Sequence, residues 1–550
     1  MNIKKLLLLL FITLFFSISY SQKLTISQDL KYPRSMGKPS VITADKTGVY
    51  IMVESLESTN NMWIGFYTRA SAGLIKYDID LKKVYDVDYN SYIKKKQFEK
   101  FIAYNNKLYL LASSQTDKSS NYKIEYIEID KSTGNLMGEF KTLVDLPGTA
   151  NLDKKQKLLL SIRYNKDSSK IIVAQGFESE IDNTINTFVF TPDLTLKNTY
   201  VGIKIPTPEA FYELQDIIPL NNGYIIFEAK ILELINPKKK CLNNLQLSHY
   251  QISLFDVNNN LIKNIKLEND QEKIHITHSA IFLQDNELKQ ICFYTDIADK
   301  TSPIGILVNK IDQTSGNVEV LDNKLFSETP VTAKTLIEGK KKNSFHINFT
   351  DHLQIDNISF NADKSINVAA QEIWYSKNYR STSSQWVQIM HEYKEFVFFK
   401  INEKGKINWV SSLPTICIGG GSDILDLNMK ELSHCGTDFF EKKLKTLILG
   451  NAYVNTANKL HVISNDNEKN IENLANKLKE FEVFSITQGS CYDNSIDLSN
   501  GSITRNVLTS NKKLDTSMPG FAYVVGNSAY YIIRDDNSGR YKMYVVKVEF

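Results

Sequence analysis

Two histidines, His275 and His278, stand three residues apart, a spacing that on a helix would put both imidazoles on one face as metal ligands. The surrounding run Ile274–Ile281 reads as a strand, where alternation sends residues i and i+3 to opposite faces, so a shared metal is not expected. Ser422 follows Gly419–Gly421 as a nucleophile would at a strained elbow. It lacks the closing glycine and a strand-then-helix context, so the segment reads as a flexible loop. Asp256–Asn260 and Asp535–Gly539 are rich in Asp and Asn but lack the full spacing and distal glutamate of a calcium loop, and they read as hairpin turns. The cysteines are Cys241, Cys292, Cys417, Cys435 and Cys491, and none forms a C-x-x-C pair. Cys417 and Cys435 can bridge across one Gly-rich loop or all five can stay reduced; an odd number leaves at least one thiol outside any internal bridge. Carboxylate pairs of the glycosidase type cannot be picked out from spacing, because the partners come from separate parts of the fold. No catalytic residue, metal or cofactor is assigned.

The elements that would position any site are β-strands. An apolar or alternating run, a polar turn, and a second run of β-branched and aromatic residues recur eight times. The turns fall near Lys46, Asn106, Asp167, Asn222, Asp285, Asp363, Asn458 and Asn527, at first about 60 residues apart. Further strand-like stretches follow each hairpin, with turns such as Asp130–Gly134, Asp312–Gly316 and Asn402–Gly405. Each unit is therefore expected to hold four antiparallel strands. The fold expected is all-β: a single β-propeller of eight four-stranded blades, with seven as the alternative and a row of β-sandwich domains as the rival. The last unit supplies three strands, Phe521–Val525, Tyr530–Arg534 and Lys542–Val548, while Leu24–Ser27 is an unassigned strand near the start. Pairing the two would close the ring and remove two exposed edges. Insertions are expected near 329–348, 415–443 and 465–481, the last with Ile471, Leu474, Ala475 and Leu478 at helical spacing.

The run Phe396-Val-Phe-Phe-Lys-Ile-Asn-Glu-Lys-Gly-Lys-Ile-Asn-Trp409, with Leu413–Pro414, resembles a blade hairpin of exported β-propeller proteins of Bacteroidota-type bacteria, many of them uncharacterised. The resemblance implies a fold and a compartment. The Ser-x-Asp-x-Gly-x-x-Trp box of sialidase-like propellers is missing, which separates this chain from enzyme propellers defined by such repeats.

In a propeller, the loop between the second and third strands of a blade shares one end of the ring with the connections between blades. Leu56–Gly73, with Trp63, Tyr67 and Arg69, and Tyr375–Glu395, with Tyr379, Arg380, Trp386 and His391, are long loops of this kind. Aromatic and Arg side chains on loops bury much area at low entropic cost, so these residues make a candidate binding face; mutual packing that closes the funnel mouth is the other reading.

Residues 1–21 read as a signal peptide: Lys4 and Lys5, an apolar run from Leu6 to Phe16, and small residues Ser19 and Ser21 before Gln22. Residues 22–550 form the propeller, with no later membrane span expected. Lysines and arginines number 65 against 62 acids. That balance, with the charges interspersed, argues against nucleic-acid binding. The expectation is an exported protein of the periplasm, outer surface or medium that binds a protein or glycan as a scaffold. A hydrolase or lyase with its site in the propeller funnel is the alternative.

Overall fold

The computed structural model describes residues 22–30, 39–58, 67–93, 96–104, 106–114, 121–146, 157–165, 168–178, 184–207, 211–234, 245–269, 274–296, 303–326, 353–379, 387–423, 435–436, 450–470, 481–482, 489–510, 516–535 and 542–550. These residues form eight four-stranded antiparallel blades in a ring. Blade 1 runs Pro39–Asp45, Gly48–Ser58, Tyr67–Tyr77, Lys83–Asp88. Blade 2 is Gln97–Tyr104, Lys107–Ser114, Tyr122–Ile129, Leu136–Leu146, and blade 3 is Lys157–Tyr164, Ile171–Glu178, Thr184–Phe190, Leu196–Lys204. Blade 4 is Phe211–Pro219, Ile225–Leu234, Leu245–Phe255, Leu261–Asn269, and blade 5 is Ile274–Gln284, Glu287–Asp296, Gly305–Ile311, Val318–Leu325. Blade 6 is Leu353–Phe360, Ile366–Tyr379, Val387–Ile401, Ile407–Leu413, and blade 7 is Ala452–Asn455, Lys459–Asn467, Gly489–Asp497, Ile503–Ser510. Blade 8 takes Thr516–Val525, Ser528–Asp535 and Lys542–Glu549 from the end of the chain and Lys23–Ile26 from its start. The eight hairpins read from the sequence are the eight pairings of first with second strand.

The closing strand pairs antiparallel from Lys23 opposite Glu549 to Ile26 opposite Val546. Closure is equally visible in the packing. Eight apolar clusters lie one in each gap between consecutive blades. The gap between blade 8 and blade 1 is filled like the others, by Tyr530, Ile532 and Val545 against Val41, Val49 and Ile51. Alternation makes this possible: on one strand of blade 3, Ile171 and Val173 pack toward blade 2 while Ile172 and Ala174 pack toward blade 4. A strand apolar on both faces is what a stacked sheet requires.

The turns between third and fourth strands share one chemistry. The carboxylate of Asp130 accepts the Ser132 N–H and hydroxyl, Asp312 accepts the Thr314 and Ser315 N–H groups, and Asp497 accepts the Ser499 N–H and hydroxyl. Such Asx turns fix the hairpin locally. Gly501 ends one of them with φ +78°, and a Cβ there would come within 2.6 Å of Trp409 in blade 6. Glycine lets the turn dock on the preceding blade, where Trp409 Nε1 donates to the Leu498 carbonyl.

Inner strands bend around the channel through β-bulges whose extra residues are Ile42, Glu99, Gln215, Thr277 and Asp356. The bulge at Thr277 corrects one expectation. His275 pairs with Thr295 and His278 with Phe293, two residues apart on the partner strand, so the bulge cancels the alternation that would separate the two histidines. Of the expected insertions, 329–348 lies outside the described residues, as does the helical spacing at 471–478; a 3₁₀ turn at Glu468–Asn470 precedes it. Among the described residues no helix is long and apolar enough to cross a membrane.

Candidate functional site

The two ends of the ring differ. At one end the turns are tight: Asp130, Asp256, Asp312 and Asp497 accept N–H groups of their own turns, while Asn221 and Asp285 reach side chains of neighbouring blades. At the other, two blades run on past their neighbours. In blade 1 the pairings with the first and fourth strands stop at Val53 and Gly73. The central hairpin continues from Glu54 opposite Ala72 to Ser58 opposite Tyr67. Blade 6 goes further: beyond Glu372 and Phe396 the hairpin continues from Ile373 opposite Tyr393 to Tyr379 opposite Val387. Seven residues of extended strand reach roughly 20 Å.

The segments expected as loops are therefore largely β-ribbons. Tyr67 and Arg69 lie on the third strand of blade 1, opposite Ser58 and Glu57. Tyr379 ends the second strand of blade 6, and His391 lies on its third strand opposite Tyr375. Trp63, Arg380 and Trp386 fall between the paired strands in sequence and lie outside the described residues. The ribbon form was missed because a hairpin is stabilised pair by pair, and Ser, Thr and Arg serve in an exposed ladder as readily as in a loop.

A third strand, Cys417–Asp423, joins the blade 6 ribbon, with Gly419 opposite His391 and Ser422 opposite Gln388. Gly419–Gly421 is therefore a paired strand and not a flexible loop, and Ser422 stands on no nucleophile elbow. A two-residue strand, Phe481–Glu482, pairs in parallel with Cys417–Ile418. Where the ribbon leaves the blade, a bulge sets Glu372 against Lys394 and Glu395. Both glutamates are buried. The Gln371 amide and the Thr415 hydroxyl both donate to the Lys394 carbonyl, at 3.0 and 2.7 Å, and the Asn451 amide donates to Gln371 and to Asp356 of the inner strand. A polar network thus fixes the angle at which the ribbon leaves the ring.

The insertion beyond Asp423 also bears on the channel. Cys435–Gly436 pairs in parallel with Tyr212–Glu213 on the inner strand of blade 4. The other edge of that strand belongs to its own blade, so this pairing lies on the channel side. The Cys417 thiol is free and donates to the Asn465 carbonyl at 2.8 Å, and burial holds it well above the usual thiol range. The Cys417–Cys435 bridge weighed from the sequence is not formed.

Between blades 6 and 7 and within blade 7 lie groups that spacing did not single out. Arg505 meets Asp466 at 2.9 Å and stacks 4.5 Å from the Tyr492 ring, while the Asn470 amide donates to the same carboxylate. Burial pushes the Asp466 carboxyl up against the pull of Arg505. On the opposite face, His461 Nδ1 lies 3.0 Å from Asp493 and 3.0 Å from the Ser495 hydroxyl, and its ring centroid is 4.1 Å from that of Phe550. Serine and aspartate share one ring nitrogen here, so the three do not form a proton relay, which needs one partner on each nitrogen. The signal available was the run of polar residues Asn465–Asn467 and Asp493–Ser495 inside strands packed on both faces. Such runs mark buried networks.

The remaining candidates resolve simply. The Asp256 carboxylate accepts the Asn258 and Asn260 N–H groups and the Asn260 amide, as a hairpin turn should. Asp535 ends a strand, and 536–541 lie outside the described residues. Among the described residues, no group of three or more His, Cys, Asp or Glu is placed to hold a metal ion.

No family model matches the sequence, and no curated protein matches it. Similar solved structures include the Nup133 β-propeller domain of Vanderwaltozyma polyspora, with 10% identity, 97% of this chain and 99% of that chain covered, and a TM-score of 0.33. The polysaccharide lyase Uly1 has 7% identity, with 94% and 99% covered, at a TM-score of 0.32. An α-L-arabinanase of Penicillium chrysogenum complexed with arabinobiose has 9% identity, with 72% and 97% covered, at 0.29. Likeness of this degree bears on neither activity nor ligand, and the propeller rests on the chain's own strand pairing.

Proposed function

We propose that the chain is an extracytoplasmic binding or scaffold propeller that recognises a protein or a glycan with the ribbon-bearing end of the ring. The observation that carries this reading is the difference between the two ends: tight turns at one, and at the other two ribbons that extend well past their blades. The sequence concentrates Trp63, Tyr67, Arg69, Tyr379, Arg380, Trp386 and His391 on those ribbons and the segments joining their strands. Aromatic and Arg groups are the usual anchors of recognition surfaces. The extracytoplasmic address is supported by the leader pattern from Lys4 to Ser21.

A hydrolase or lyase in the funnel needs carboxylates or histidines that converge. Three of the acids on the described inner strands are engaged separately. Glu99 accepts from Ser113 and Tyr122, Asp216 pairs with Arg163 at 3.4 Å, and Asp356 accepts from Asn451 and Tyr453.

Binding of purified envelope polysaccharides and envelope proteins to residues 22–550 tests the reading. Trp63→Ala with Trp386→Ala should weaken capture by at least about tenfold, as loss of two aromatic anchors does, with thermal unfolding unchanged. Unchanged capture would discard this surface. Turnover of a polysaccharide, seen as new chain ends, would replace the binding reading with the catalytic one.

A further inference from the structure

We infer that Asn222 is a site of spontaneous covalent modification: its side-chain amide converts through a cyclic imide to aspartate and isoaspartate, while the same dipeptide at Asn500 is held intact by its turn. Asn-Gly occurs at two places in the chain, Asn222–Gly223 and Asn500–Gly501. Glycine has no Cβ to screen its backbone nitrogen, so that nitrogen can approach the side-chain carbon of the asparagine before it. The Gly223 nitrogen bonds to Cγ of Asn222, and Nδ2 leaves as ammonia with the proton that the glycine nitrogen gives up. One water molecule then opens the ring at either carbonyl, giving aspartate or isoaspartate.

The step needs an asparagine that water reaches and a glycine N–H that is lightly held. Both asparagines are exposed. Their glycines differ. Gly223 lies in the turn joining the first two strands of blade 4, and its N–H donates to the Leu220 carbonyl at 3.4 Å, beyond the usual range of about 2.7–3.2 Å. Gly501 lies in the turn joining the last two strands of blade 7, and its N–H donates to the Asp497 carbonyl at 2.8 Å. An N–H held in a good bond neither gives up its proton readily nor turns toward a side chain, so that bond must open before the ring can close. The asparagine side chains follow the same order. Asn222 Oδ1 accepts the Tyr224 N–H at 3.0 Å, and Asn500 Oδ1 accepts the Ser502 N–H at 2.7 Å.

The surroundings act in the same direction. Gly501 is buried, with Trp409 packed where a Cβ would stand, whereas Gly223 is half-buried. Both glycine carbonyls accept a hydroxyl from the preceding blade, Tyr200 at 2.6 Å for Gly223 and Ser411 at 2.5 Å for Gly501. That contact does not separate the two turns; the N–H bond does. Isoaspartate routes the backbone through the former side chain and lengthens it by a methylene between Asn221 and Gly223. The Gly223 carbonyl is then drawn from the Tyr200 hydroxyl, which links blades 3 and 4. This turn lies at the end of the ring opposite the ribbons, so the conversion leaves the proposed recognition end as it is.

Peptide mass spectrometry of the purified chain, kept folded in mildly alkaline buffer and sampled over days, reads both positions in one sample. Asn222 should convert at least about fivefold faster than Asn500, the factor that one further net hydrogen bond supplies. The same chain unfolded in guanidinium chloride should convert the two at similar rates, because only the fold distinguishes them. Asn222→Ser should abolish the conversion at this turn and leave that at Asn500 unchanged. Equal conversion of the two in the folded chain, or faster conversion at Asn500, overturns the inference. An intact Asn222 in a folded chain whose unfolded form converts at both positions overturns it too, as does an equal difference in the unfolded chain.

Discussion

At the scale of single residues, turn acids recur around the ring with one job. Three carboxyls are held below the ordinary value of 3.8 by bonds within their own turns: Asp130 by the Ser132 hydroxyl and N–H, Asp256 by the Asn260 amide and N–H, and Asp312 by the Ser315 N–H. A carboxyl whose value is lower folded than unfolded binds fewer protons when folded. Its contribution is therefore present above pH about 4 and is lost as pH falls through the folded values. Blade 6 places Asn402 at the equivalent position, accepting the Lys404 and Lys406 N–H groups, so an uncharged amide fits the same turn. A triple Asp130→Asn, Asp256→Asn, Asp312→Asn variant should unfold at nearly the parental temperature at neutral pH. It should lose less of that temperature between pH about 5 and about 3, measured by circular dichroism. A parallel loss in both chains would show that these turns do not set the acid response. Most of these residues were legible in advance, because an Asx turn is a local device. The Asp466–Arg505 and His461–Asp493 pairs were not, since their partners lie on different strands.

At the scale of elements, glycines separate conformational need from packing need. Gly501 and Gly138 both have positive φ, +78° and +81°. A Cβ on Gly501 would meet Ser411 and Trp409 at 2.5 and 2.6 Å, whereas one on Gly138 would meet nothing within 4 Å. Gly501→Ala should thus carry both the left-handed strain and the overpacking, about 2–4 kcal/mol, and Gly138→Ala the strain alone, about 1–2 kcal/mol. Urea unfolding midpoints would compare them, and equal losses would mean that the turn does not dock as described. The hairpins themselves were readable from period-2 alternation and Asp/Asn/Gly turns. The ribbons of blades 1 and 6 were not. In blade 1 the run Glu54–Ser58 offers a single aliphatic residue, Leu56, among Glu and Ser, too little alternation to betray a strand. Only pairing across the hairpin makes it one.

At the scale of the molecule, Lys23 lies opposite Glu549, so residues 22 and 550 sit where a hairpin turn of blade 8 would. Joining Phe550 to Gln22 through Asn-Gly and opening the chain between Leu30 and Pro39 should give a permutant whose eight blades each come from one continuous segment. Its sheet content by circular dichroism should match the parent, with a thermal midpoint equal or higher, since the join removes the entropy of closing the whole chain into a ring. A permutant that fails to fold would place residues 22 and 550 apart and break the ring assignment.

By itself the sequence determined the strand type, the eight hairpins, the turn chemistry and the pairing of first and last strands. All of these follow from alternation and turn residues acting over a few positions, or from a strand count that leaves one edge to cover. Only the tertiary structure decided that Thr277 brings His275 and His278 back into phase, that Gly419–Gly421 is a paired strand, and that two blades rise as ribbons from one end. It likewise decided that Gln22 and Phe550 meet at Asp493 and His461. These depend on which backbone lies alongside which, and on polar groups that find partners dozens or hundreds of residues away, relations that no local pattern carries.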